Sequence, residues 1–262
     1  MKPRQGKTVF LSFDIEEFDM PLEYGKSIPF SDQISISRVG CHVILDLLKK
    51  HQIHATFFST VVFASNAPEI IDRINKEGHE LASHGFYHSD FKEEHLVSSK
   101  KELEKISGQT ISGFRMARMK PVSDAAIVAA GYRYDSSLNP VYLPGRYNNY
   151  FKPRTAFMHN GLLEIPASAT PTLRFPLFWL SFHNLPLMIY KWFCCIVLWS
   201  DRYLNLYFHP WEFTDLNQSR FGLPGFVRKK TGRAMVYSFD QWLAWCKEKG
   251  FTFLTLGEFK NT

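Results

Sequence analysis

The chain has 262 residues, 45% hydrophobic and 21% charged, a balance that builds a core and excludes a disordered or collagen-like chain. Lysine and arginine outnumber the acids 31 to 25, giving a net charge of +6 that favours anionic partners; no nucleic-acid-binding motif accompanies it. Cys41, Cys194, Cys195 and Cys246 form no C-x-x-C pair, which excludes a disulfide framework or a zinc ribbon and suits a reducing compartment.

The N-terminal segment carries positive charge but no long apolar run, so no signal peptide and a cytoplasmic location are expected. Val9–Phe13 reads as a first strand. Val39, Val43, Ile44, Leu47 and Leu48 share one face of a helix over residues 38–51. Ala55–Phe58 is a second strand. Asn66 is expected to cap the next helix, with Pro68 in its first turn and Gly78 at its end.

Glu80–Ala82 is a third strand, followed by a helix reaching about residue 107 and closed by Gly108. Ile111–Arg115 is a fourth strand, residues 124–130 a helix capped by Ser123, and Tyr132–Tyr134 a fifth strand. Residues 138–160, rich in Pro and Asn, read as a long loop whose Tyr142, Tyr147, Tyr150 and Phe151 either rim a site or pack locally. Leu162–Ile165 is a strand, 185–199 an apolar helix, Tyr203–Phe208 a strand, Ser238–Lys249 a helix and Phe251–Leu256 a last strand. The alternation predicts an α/β protein: one domain over residues 1–262, barrel-like, with seven to eight strands in a largely parallel sheet.

The apolar segment 171–199 contains a most hydrophobic part, Leu185 to Trp199, that is too short to be read as a membrane span. The segment either makes a peripheral membrane contact, suited to a lipid-linked sugar, or packs into the core or against a second copy in a homo-oligomer. The basic run Arg228-Lys229-Lys230 is either a solvated loop or an anionic-glycan contact.

Polar residues stand at the ends of five predicted strands: Asp14 in S-F-D-I-E-E, His84 and His88 in S-H-G-F-Y-H, Arg115 in G-F-R, Asp135 in Y-R-Y-D-S-S and His209 in Y-F-H-P-W-E. In a wound α/β chain such ends converge on one face. Two imidazoles four residues apart suit a borderline metal such as zinc, or are two unrelated surface histidines. Asp14 and Glu16 point to the same side of an extended segment, so one carboxylate can ligate while the other acts as a base, unless both are merely solvated. Glu17 competes for the ligand place. Arg115 either orients a carboxylate or makes a structural ion pair, and His209 is either a general acid or a core imidazole. Two His and one carboxylate also form the triad of iron(II) oxygenases, against which the barrel and the second acid–base set argue.

In order and spacing the chain, from about residue 8 to residue 257, resembles the polysaccharide deacetylases of carbohydrate esterase family 4. The family's T-F-D-D-G appears as S-F-D-I-E, its H-(S/T)-x-x-H as His84-Gly-Phe-Tyr-His88, its R-x-P-(Y/F) as Arg115-Met-Ala-Arg, and its L-x-H is approached by Leu206-Tyr-Phe-His209. Ala117 and Arg118 depart from the family's Pro and aromatic, and D-x-x-D-W is absent.

The resemblance implies a single distorted (β/α) barrel with about seven parallel strands. It implies a divalent ion, zinc foremost with cobalt, iron or nickel as alternatives, held by Glu16, His84 and His88. Asp14 would be the base, oriented by Arg115, and His209 the acid. Asp135 and Trp211 are expected to contact substrate. The implied activity is removal of N-acetyl groups from an amino sugar or oligosaccharide. The alternatives are an amidohydrolase on a small non-sugar C–N bond and an inactive glycan-binding relative.

Overall fold

The computed structural model describes residues 7–260. Its elements in chain order are β1 (Thr8–Ile15), α1 (Met20–Glu23), α2 (Phe30–His51), β2 (Thr56–Ser59), α3 (Val61–Asn66), α4 (Pro68–Lys76), β3 (Glu80–Ser83) and α5 (His95–Ser107). Next come β4 (Gly113–Phe114), α6 (Asp124–Ala129), β5 (Tyr134–Asp135), β6 (Tyr142–Leu143), β7 (Tyr147–Asn148), β8 (Phe157–His159) and β9 (Leu162–Glu164). The last are α7 (Trp179–Asn184), α8 (Leu187–Asp201), β10 (Tyr203–Phe208), α9 (Gly225–Arg228), α10 (Arg233–Glu248) and β11 (Thr252–Leu254).

Seven strands run parallel in the order β10-β1-β2-β3-β4-β5-β9, as the distorted barrel requires. β8 adds an antiparallel edge, and β11 pairs with the first half of β1. The apolar run of β1 is buried on both faces, the mark of a central parallel strand with helices on either side. Between β9 and β10 the sheet gives way to a side-chain latch. Asn205 Nδ2 donates to the carbonyls of Ile165 (2.9 Å) and Pro166 (3.1 Å), and the Ser168 amide donates to the Asn205 carbonyl (2.9 Å).

One hydrophobic cluster draws on β1, β2, β10 and the inner faces of α2, α4, α8 and α10. Gly40 in α2 sits against the 3₁₀ turn Pro210–Phe213, where an added Cβ would lie 1.9 Å from the Pro210 carbonyl oxygen. Only a glycine allows that approach.

Several boundaries differ from the sequence reading. α2 begins at Phe30, behind Pro29, rather than at 38. α3 ends at Asn66 and Ala67 takes the cap position of α4, so Asn66 does not cap it. The helix expected directly after His84 starts only at His95, because the intervening backbone pairs elsewhere. The His84 amide donates to Ser59, and the Gly85 and Phe86 carbonyls accept from Val61 and Val62 at the start of α3.

The long loop contains the β6–β7 hairpin. The apolar segment is divided by Pro186 into α7 and α8. α8 buries Tyr190, Cys194, Val197 and Leu198 and leaves Met188, Trp192 and Trp199 on the surface. Among the described residues no helix is long and apolar enough to cross a membrane.

Candidate active site

The C-terminal ends of β1, β3, β4 and β10 bring most of the sequence-predicted residues together. Asp14, Glu16, His84, His88 and His209 line one cavity of about 290 Å³. Arg115, fully buried, stands behind Asp14.

The Arg115 guanidinium donates from Nη1 to Asp14 Oδ1 (2.7 Å) and Ser12 Oγ (2.9 Å), from Nε to the Ser136 carbonyl (2.9 Å) and from Nη2 to Ser136 Oγ (2.9 Å). Its flat face lies 4.1 Å from the centre of the Phe58 ring. A buried charge is tolerated when it is paired and hydrogen-bonded in this way. Burial pushes the Asp14 carboxyl up, but Arg115, with His84 and His209, outweighs it and holds the acid below the usual carboxylate range. Asp14 Oδ2 is 3.9 Å from His209 Nε2.

Glu16 Oε2 is 3.1 Å from His84 Nε2 and 3.0 Å from His88 Nε2, and these three ligand atoms lie within 4.8 Å of one another. Glu16 Oε2 is buried with no hydrogen-bond partner among the described residues. A buried oxygen facing two imidazole nitrogens is a donor set that fits a divalent ion. His88 turns its Nδ1 to Asp19 Oδ1 at 2.8 Å, the carboxylate–histidine arrangement that orients a metal ligand. Glu17 is not part of the cluster. It points away and accepts from Thr60 Oγ1 (2.6 Å), the hydroxyl that also caps α3.

Arg118, standing where the family motif has an aromatic, lines the cavity and pairs with Asp19 (3.1 Å) and Glu23 (2.8 Å). Its φ of 57° lies in the left-handed region, and Met119 follows at 52°, so the chain turns sharply at the rim.

Two expected substrate contacts do not line this cavity. Trp211 is fully buried and stacks on His209 with centroids 4.9 Å apart, so it supports that ring rather than meeting a substrate. Asp135 lines a neighbouring cavity with Glu164, where burial pushes both carboxyls up. Of the loop aromatics, Tyr147 lines the site cavity, while Tyr142 and Phe151 point to solvent. The apolar segment supplies part of the wall through Phe178, Trp179 and Leu180.

Sequence reasoning missed Asp19, Glu212 and His183. Glu212 Oε1 accepts the His209 amide (2.6 Å) and faces His209 Nδ1 (3.1 Å). Its Oε2 faces His183 Nε2 (2.8 Å). The signal for Glu212 was present: a glutamate three residues after His209, at the start of a 3₁₀ turn, is the spacing of a capping box.

The family model for polysaccharide deacetylase matches residues 2–134, half of the chain. The chain belongs to the polysaccharide deacetylase family. Within this family it is 37% identical over 73 residues to the peptidoglycan-N-acetylmuramic acid deacetylase PdaA of Bacillus subtilis (strain 168), covering 25% of this chain and 28% of PdaA. It is 45% identical over 47 residues to a chitooligosaccharide deacetylase of Bradyrhizobium sp. (strain ANU 289), covering 18% and 22%. The matched stretches thus span roughly a quarter of these relatives' lengths.

Among solved structures, a protein of Pseudomonas aeruginosa PAO1 assigned as a polysaccharide deacetylase superposes with a TM-score of 0.66 at 14% identity, covering 96% of this chain and 88% of that one. Puue allantoinase gives 0.63 at 17%, covering 98% and 90%. BA3943 of Bacillus anthracis, a pseudoenzyme of carbohydrate esterase family 4, gives 0.53 at 13%, covering 97% and 65%. These structural likenesses establish the fold.

Proposed function

We propose that this protein is a metal-dependent hydrolase that removes N-acetyl groups from an amino sugar in a glycan or cell-surface polysaccharide. The observation that carries this reading is the joint placement of an arginine-held carboxylate, a carboxylate-held imidazole and the Glu16–His84–His88 donor set on one cavity. The names of PdaA and the chitooligosaccharide deacetylase supply the substrate class. Two imidazoles and one carboxylate favour zinc.

Glu16, His84 and His88 would hold such an ion, which when bound would supply Lewis acidity to an amide carbonyl and to water. Asp14 Oδ2, the oxygen not taken up by Arg115, removes a proton from the attacking water. The water oxygen bonds to the carbonyl carbon. His209 Nε2 then gives a proton to the amide nitrogen as the C–N bond breaks, releasing acetate and the free amine. Arg115, acting against burial, keeps Asp14 ionised and correctly turned, and Trp211 and Glu212 hold the His209 ring.

The neighbouring cavity, about 680 Å³, shares Met119, Arg146 and Tyr147 with the site. That continuity favours a saccharide extending beyond the reacting residue over a small non-sugar amide. Acetate release from N-acetylated sugars and oligosaccharides by metal-stripped and reconstituted protein tests the reading. Metal-dependent acetate that vanishes in Asp14→Asn is the expected result. Stoichiometric metal without acetate from any member of the panel refutes it, leaving an amidohydrolase or an inactive binder.

A further inference from the structure

We propose that His183, which lies behind the site, is a positioning residue that governs how tightly His209 holds its proton, acting through Glu212, the carboxylate the two imidazoles share. The inference rests on the reading of His209 as the general acid.

The geometry fixes the hydrogens. His183 Nδ1 is 3.0 Å from the Val227 carbonyl oxygen, which can only accept, so Nδ1 donates. His183 Nε2 is 2.8 Å from Glu212 Oε2, and it donates as well. Glu212 Oε1 takes the His209 amide and Nδ1–H, which leaves His209 Nε2 as the nitrogen turned toward Asp14. His183 and Glu212 are fully buried. Trp179 meets both imidazoles edge-on, at 5.8 Å from His183 and 5.5 Å from His209. Among the described residues the partners of the Glu212 carboxylate are the two histidines and one amide.

When His209 gives up its proton, a negative carboxylate remains buried beside a neutral ring. The His183 Nε2–H stabilises that charge. Without it the His209–Glu212 couple keeps its proton to higher pH. Without the carboxylate, in contrast, the His209 cation loses its hydrogen-bonded partner and the proton leaves at lower pH. The two substitutions therefore act in opposite directions, which a loss of packing at either residue would not produce.

The directions already visible agree. Burial pushes Glu212 up, but His183 foremost, then His209, hold it below the usual range. Burial pulls His209 down, and the bond to Glu212, together with the charges of Glu16, Glu212 and Asp14, outweighs it and raises the imidazole. The other titratable groups facing this row are Asp14 from β1, Glu16 just after it, Tyr207 from β10 and Tyr190 from α8. Lys230, beyond α9, donates to the carbonyls of Phe182 and Leu185 at either side of His183. α2 and α10 present Gly40 and Phe239, neither of which titrates.

The test follows the imidazole ¹⁵N shifts of the zinc-loaded protein against pH by NMR, in wild type, His183→Phe, His183→Gln and Glu212→Gln. Loss of one hydrogen bond to a buried charge predicts that the His209 midpoint rises by about one pH unit in His183→Phe. It should return toward wild type in His183→Gln, which restores a donor, and fall in Glu212→Gln. In the wild type both His183 ring nitrogens should carry slowly exchanging hydrogens. That wild-type signature stands even if His183→Phe does not fold.

A His183→Phe midpoint equal to or below wild type, or a His183 ring bearing one hydrogen, overturns the proposal. Failure of the deacetylase reading would show differently, as absence of acetate with this titration pattern intact. Where acetate is released, the alkaline limb of kcat/KM should move with the His209 midpoint.

Discussion

Gly40 offers a mechanical test of how the fold holds the acid. Its Cα touches the backbone of Pro210, the residue after His209, and a Cβ placed there would lie 1.9 Å from the Pro210 oxygen and 2.4 Å from its carbonyl carbon. Both atoms belong to backbone, so no side chain can swing aside. Reaching an ordinary separation of about 3.5 Å requires the 3₁₀ turn and α2 to part by about 1.5 Å. Overpacking of this kind costs about 1–3 kcal/mol, or more where backbone must move. Displacing a reacting group by about 1 Å costs on the order of 100-fold in rate.

Gly40→Ala should therefore melt several degrees lower and lose about 100-fold in kcat. It should keep its full complement of metal, because Glu16, His84 and His88 sit just beyond β1 and β3, away from that turn. Melting curves, acetate release and metal content after dialysis give the three numbers. A variant with wild-type kcat and melting temperature would refute the claim that contact between α2 and the turn places His209.

Three further predictions follow from the buried charges. Arg115→Met strands Asp14, and breaking a buried ion pair at a cost of about 3–5 kcal/mol should lower the melting temperature by about 10 °C; a change below about 2 °C would mean that the pair contributes little. Glu16→Gln should abolish retention of one metal equivalent, whereas Glu17→Gln should retain it, since Glu17 serves Thr60; the reverse pattern by elemental analysis would exchange their roles. Burial pulls His79 down to about 4 in the fold, where its Nδ1 accepts the Ala55 amide. Between that value and about 6.5 the unfolded chain binds the extra proton, so stability is lost as pH falls through this window. His79→Gln should lose less stability than wild type between pH 7 and pH 5 in urea titrations, and parallel losses would refute the assignment.

Much of this architecture is legible in the sequence because long, doubly buried strands are apolar throughout. β1 and β10 stand out as runs bounded by polar residues, and Asp14 and His209 mark their ends. The short strands are less legible: β4 and β5 have two residues each, too few for any period to register. The late start of α5 is not legible, because the pairing that holds the turn after His84 comes from Ser59 and the start of α3. The choice between Glu16 and Glu17 is open in the sequence, since adjacent acids differ only in the side of the chain they face. Thr60, more than forty residues away, settles it by taking Glu17.

The histidine behind the acid illustrates the deeper limit. His183 lies in an apolar segment and gives no sequence signal that it faces Glu212 across 29 positions. Pro186 ends α7, and the 3₁₀ turn places Glu212; together they bring the two side chains into one buried row. A carboxylate beside the acid could have come from many places in this fold. Here the chain supplies it from the same turn that carries His209, so the acid and its partner move as one piece. On the proposed reading of His209 as the acid, the turn's contact with Gly40 and the bond from His183 would therefore bear on catalysis although neither reaches the cavity.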